Sequence, residues 1–252
     1  MRRSRYELNF LAQKLRKNCG EDEDAFVNVF GIINRLPNTT LVFYPLSNRI
    51  SGMCININNI DSMIVINSTH SHGRQRFTAA HELYHLNFQD KFTNVICSKD
   101  LIGVKDDEEI NADDFASYFL APMELFNSFV NSVIPLDGKL KLKNIIEIEQ
   151  NFQMSRQSTL IRLLRENFIQ NQDYEEFKEG VISSAKALGY NDHLYRPTPE
   201  EEQYFTSGAY IKMVEDLKTR GRISTGKYNE LLLAAFRADI VYNLGGQEVI
   251  ND

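Results

Sequence analysis

Residues 77–85 run Phe77-Thr78-Ala79-Ala80-His81-Glu82-Leu83-Tyr84-His85, two histidines four positions apart with a glutamate directly after the first. Positions i and i+4 of a helix share a face, so both imidazoles can reach one metal ion while Glu82 stands beside it. Neutral imidazole suits a borderline-soft cation such as Zn²⁺. A catalytic zinc keeps one position for water and lowers that water's pKa to about 7, and a nearby carboxylate can then take its proton. Glu82 is the candidate for that base. Around the polar positions Phe77, Ala80, Leu83, Tyr84 and Phe88 recur at helical spacing, which sets this stretch apart from a solvated surface helix that carries the pattern by accident.

Such a helix must be held against partners that complete the ligand set. Residues 62–67 read as a buried strand leading into a polar segment, 68–76, so the motif sits where a strand, a loop and a helix meet. Two histidines leave one protein ligand missing, commonly a glutamate in catalytic zinc sites. Downstream, residues 106–122 begin with Asp106-Asp107-Glu108-Glu109 and continue as an apolar helical pattern. Glu109 and Asp113 are four apart and project from one side, which assigns Glu109 as ligand and Asp113 as the group that orients a ligating histidine. The same acidic run also fits a solvated helix N-terminus, a reading that accounts for Asp106 and Asp107.

Three separated segments, the strand ending Ile66-Asn67, the run Arg76 to His85, and Glu109-Ile110-Asn111-Ala112-Asp113-Asp114-Phe115-Ala116 closing at Leu120-Ala121-Pro122, resemble the ImmA/IrrE metallopeptidase family over roughly residues 50–169. The resemblance implies a zincin-like core, with His81, His85 and Glu109 holding the metal and Glu82 as catalytic base. It also implies a helix-turn-helix-like segment after the core and, as target, a helix-turn-helix (Xre-like) transcriptional repressor. A different class of function stays open beside it: a non-proteolytic, toxin–antitoxin-type partner that binds an Xre-like protein. Zinc is the expected metal, and Mn²⁺ or Co²⁺ are also compatible with a His₂Glu set. One departure from the family is Tyr84, where glycine is frequent. It can narrow the cleft, polarise a substrate carbonyl or simply pack, and Tyr118 is a further candidate for an oxyanion donor. His70 and His72, expected in the loop before the motif helix, read as solvated loop residues rather than ligands. In metallopeptidases of this kind an edge strand often receives an extended substrate by main-chain pairing, which the strands of this chain offer as well.

With 252 residues, 42% of them hydrophobic, the chain can build a real core. No apolar run is long enough to span a membrane, and no signal-peptide core follows Met1-Arg2-Arg3, so a cytoplasmic location is expected. Cys19, Cys54 and Cys97 are widely spaced and form neither a disulfide framework nor a cysteine zinc site. Cys97, between the second histidine and the acidic helix, reads as an inert thiol in preference to a switch on the metal.

The expected class is therefore α+β: a metallopeptidase core with a small sheet over residues 1–135, a helix-turn-helix-like segment over 136–170, and a helical region over 171–252. Helices are expected at 5–18 and 23–36, and strands at 40–44, 50–57 and 63–67. In the second segment a helix at 140–152 is followed, after a break at Gln153-Met154, by one capped by Ser155 and running to Asn167. That last helix could offer Arg156, Arg162 and Arg165 to DNA. A net charge of −6 disfavours contact dominated by phosphates, so packing is the preferred reading. Further helices are expected at 174–188, 209–219 and 224–244, with 196–202 as a linker.

Overall fold

β-Branched and aromatic runs build the sheet: β1 (Thr39–Tyr44), β2 (Ile50–Ile57), β3 (Asp61–Asn67), β4 (Asn94–Ser98) and β5 (Phe205–Gly208) lie in the order β4-β2-β3-β1-β5. β1 and β3 are parallel, with Val42 opposite Val65, and all other pairs are antiparallel. The computed structural model describes residues 2–21, 26–57, 60–89, 94–98 (backbone only), 106–136 and 138–243. Two strands go beyond the three expected. β4 and β5 are short and each pairs at an edge, so neither carries the long apolar run that marks β3 in the sequence.

Helices α1 (Arg5–Asn18) and α2 (Val29–Arg35) precede the sheet. The second starts later than expected because Asn28 caps it, accepting from the Gly31 amide at 3.0 Å; residues 23–25 of the expected span lie outside the described residues. α3 (His72–Phe88) packs on β2 and β3 with one face and on α4 (Asp107–Leu120) with another, and it is buried almost continuously from Gly73 to His85. It begins four residues before Arg76, where a loop was expected, because the Arg74 and Gln75 amides both return to the Ser71 carbonyl at 2.9 Å. His72 therefore belongs to the first helical turn.

α5 (Met123–Val133) has Pro122 as its N-cap, where the missing N–H costs nothing and the carbonyl accepts from the Phe126 amide at 2.8 Å. α6 (Leu142–Phe152) and α7 (Arg156–Arg165) follow, separated by Gln153 in the left-handed conformation (φ 53°), and the Ser155 hydroxyl caps α7 on the Ser158 amide at 3.2 Å. One core cluster runs from Leu8 through Phe115, Phe119 and Leu163 to Phe177, so this pair of helices shares the interior of the metal-motif region.

Beyond it, two expected helices are each divided. α8 (Asn171–Phe177) and α9 (Val181–Ala187) are parted at Gly180 (φ 62°). After α10 (Ala209–Thr219), α11 (Thr225–Ala234) and α12 (Ala238–Tyr242) are parted at Phe236 (φ 59°); Leu244 lies outside the described residues. The segment 196–202 is not a linker. The His72 amide donates to the Arg196 carbonyl at 2.8 Å, the Thr198 amide to the Ser68 carbonyl at 3.1 Å, and Gln75 Nε2 to Thr198 Oγ1 at 3.0 Å, which stitches this stretch to the root of α3.

Gly73 lets α3 meet α7 closely. A Cβ there would lie 2.8 Å from the Ser155 amide nitrogen, backbone that cannot rotate away. Gly73→Ala is expected to lower stability by about 1–3 kcal/mol, read as a fall in the urea midpoint with an unchanged m-value.

Candidate metal centre

His81 and His85 stand one turn apart on the buried face of α3, and Glu109 comes from the first turn of α4. That turn is fixed by Asp106, whose carboxylate accepts the Glu109 amide at 2.8 Å. The Nε2 atoms of the two histidines are 3.0 Å apart, and the Glu109 carboxylate lies 3.4 Å from each. All three ligand atoms fall within 4.8 Å of one another. Their other ring nitrogens are engaged: His81 Nδ1 meets Asp113 Oδ1 at 3.0 Å, and His85 Nδ1 meets Gln89 Oε1 at 2.5 Å. With Nδ1–H given to those oxygens, both Nε2 lone pairs point toward one place that also faces a carboxylate. Burial raises the Glu109 carboxyl, but hydrogen bonds and charge from His81 and His85 outweigh it and hold the group well below the usual carboxylate range. Three converging acceptors repel one another unless a cation lies among them, and two imidazoles with one carboxylate suit a borderline-soft divalent ion.

Glu82 is fully buried next to this cluster, and neither of its carboxylate oxygens has a hydrogen-bond partner among the described residues. Burial pushes its carboxyl up to about 7, against the opposing pull of His81 and His85. β2 leaves room for it through Gly52, where a Cβ would lie 3.4 Å from Glu82 Oε1 and 2.6 Å from the Thr78 methyl.

Other expected positions fall elsewhere. Tyr84 is buried, with its hydroxyl donating to Glu108 Oε2 at 2.6 Å and its ring packed against Phe115 and Phe88. It therefore packs, and its phenol is committed to α4. Tyr118 lies on the side of α4 opposite Glu109, under the Arg162 guanidinium at 4.3 Å, which removes it as an oxyanion donor. His70 is buried and His72 packs against His193, tilted, at 4.4 Å between centroids, so neither is the solvated loop residue expected, and neither joins the triad. The Cys97 side chain lies outside the described residues. Gln89 was not expected; the signal was its i+4 spacing from His85 at the helix end.

The arginines considered for DNA are occupied. Arg156 is buried and paired with Glu149, Arg162 is buried and bonded to Ser117 Oγ at 3.0 Å, and Arg165 pairs with Asp114.

A family model described as the IrrE N-terminal-like domain, Peptidase_M78, matches residues 39–164, from β1 to the end of α7, and so spans the whole cluster. No curated protein matches the chain.

Asp113→Asn and Gln89→Ala are each expected to weaken zinc binding by about 10–100-fold, measured by chelator competition, while Tyr84→Phe leaves it unchanged. His81→Ala combined with Glu109→Ala should bind no zinc by mass spectrometry.

Proposed function

The chain belongs to the Peptidase_M78 family, and from that membership we propose that it is a zinc-dependent endopeptidase acting in the cytoplasm on a helix-turn-helix (Xre-like) transcriptional repressor. One observation carries the reading: three acceptors, from His81, His85 and Glu109, converge beside the buried carboxylate of Glu82, which has no hydrogen-bond partner among the described residues. The repressor is the substrate class implied by the resemblance to ImmA/IrrE proteins. Cys19 and Cys54 are unpaired thiols, which fits a reducing compartment, and among the described residues no helix is long and apolar enough to cross a membrane.

In this mechanism His81, His85 and Glu109 would hold the ion. A bound zinc supplies Lewis acidity that polarises a carbonyl and lowers the pKa of water. Glu82 accepts the proton of the attacking water as its oxygen bonds to the scissile carbonyl carbon, and delivers a proton to the amine nitrogen as the C–N bond breaks. Asp113 and Gln89 keep both imidazoles in the tautomer that turns Nε2 to the ion. The edge strand β4, next to the strand that shelters Glu82, gives an extended target segment a main-chain ladder to join.

The test is incubation of the zinc-loaded protein with purified Xre-like repressors, followed by mass spectrometry of the products. Glu82→Gln is expected to retain about one zinc per chain and to cleave about 10²–10⁴-fold more slowly. Cleavage undiminished in that variant would remove Glu82 as the base. A repressor that wild-type protein binds tightly and leaves intact would make the chain a regulatory binding partner instead.

A further inference from the structure

A second concavity, of about 610 Å³, opens at the N-terminal end of α3, bounded by β1, β5 and residues 196–205, and none of His81, Glu82, His85 or Glu109 lines it. Gln75, the lining residue of α3 nearest the triad, is six positions before His81, about 9 Å along the helix. Its floor is aromatic: Phe30 meets Phe43 edge-on at 5.1 Å between centroids, and His72 meets Phe30 at 5.7 Å. At its mouth Tyr204 and Phe236 lie 5.2 Å apart, and they remain 45% and 40% exposed. Phe236 holds φ at 59°, a conformation that bulky residues rarely adopt, so its ring is kept at the mouth against a local backbone preference.

The charges lining this space do not cancel. Arg196 shares Asp192 with Lys186, at 2.5 and 3.0 Å, and Asp239 pairs with Arg237 at 2.7 Å. Burial, with His193 and Arg76 adding to it, lowers His72 to about 4, which leaves its imidazole neutral near pH 7. Glu201 and Glu202 remain, two exposed carboxylates with no side-chain partner among the described residues. A cation already rests on this wall, since the Arg237 guanidinium lies 4.8 Å from the Phe205 centroid.

We propose that this concavity binds a small organic cation: a flat or apolar body among the aromatic rings, with an ammonium or guanidinium group held by the ring faces and by Glu201 and Glu202. The volume is that of a small-molecule site. The two carboxylates disfavour an anion of the same shape. A bound molecule would touch both the 196–205 segment and the first turn of α3, which the backbone bonds described above already join. This assignment stands apart from the peptidase reading and does not depend on it.

The chain has no tryptophan, so the indole emission of an added probe reports binding without background. Tryptamine is titrated with the full-length protein and followed by fluorescence anisotropy, with indole-3-propionate as a probe of similar body and opposite charge. Saturable binding of the amine alone is expected. Glu201→Gln with Glu202→Gln, and separately Tyr204→Ala, should each weaken it by about fivefold or more. His81→Ala with Glu109→Ala should leave the affinity unchanged. Failure of tryptamine to saturate, equal affinity for amine and acid, or unchanged affinity in the glutamine variant would each overturn the proposal. Loss of binding in the triad variant would place the probe at the metal centre and overturn it as well.

Discussion

A helix that carries a glutamine, an arginine, two histidines and a glutamate into the interior must find a partner for each, because an unpaired polar group in low dielectric costs about 1–3 kcal/mol and a charged one more. α3 meets that demand almost completely. Gln75 donates to the Ser68 and His70 carbonyls at 3.2 and 2.7 Å, and Arg76 donates to the Gln153 and Val27 carbonyls at 3.1 and 2.9 Å. Asp113 and Gln89 take the histidines. The neighbouring segments are where they are because they supply these acceptors: the loop before the helix, the break between α6 and α7, and the first turns of α4. Glu82 stands outside this accounting: among the described residues neither of its carboxylate oxygens has a hydrogen-bond partner.

The same logic explains the helix-turn-helix-like pair. Arg156 and Arg162 face inward: Arg156 reaches Glu149 and the Phe177 carbonyl at 2.7 Å, while Tyr195 donates to the other Glu149 oxygen at 2.7 Å. These contacts tie α6 and α7 to α8 and to the turn at residues 193–195. A buried ion pair of this kind gives little net stability compared with an apolar replacement, but breaking one partner leaves a costly charge, so the pair fixes arrangement.

Much of this was legible in the residues, and the reasons are physical. Periodicity found β1, β2, β3 and the helices around the metal motif because burial there is one-sided or complete over long runs. The i, i+4 rule brought His81 to His85 and Glu109 to Asp113, and all four meet in space. It holds equally for Gln89 and His85, although glutamine is rarely counted among groups that orient a ligand. Gly180 and Phe236 in left-handed conformations divide helices whose apolar spacing runs on without interruption, so periodicity alone does not mark the breaks. The stretch 196–202, rich in proline and glutamate, carries a linker's composition, yet its backbone hydrogen bonds are long-range and leave no local trace in sequence.

β5 has one further consequence. It is contributed by residues 205–208 and pairs with β1 through Phe43 and Thr40, covering a strand that reads Thr-Thr-Leu-Val-Phe-Tyr. Cut the chain after α7, where the family match ends, and that strand becomes an uncapped edge of high β-propensity and no charge, a template for intermolecular pairing. The distal region thus acts as a solubility guard for the sheet, and a minimal catalytic fragment would aggregate through β1 unless the edge were covered or given a charge.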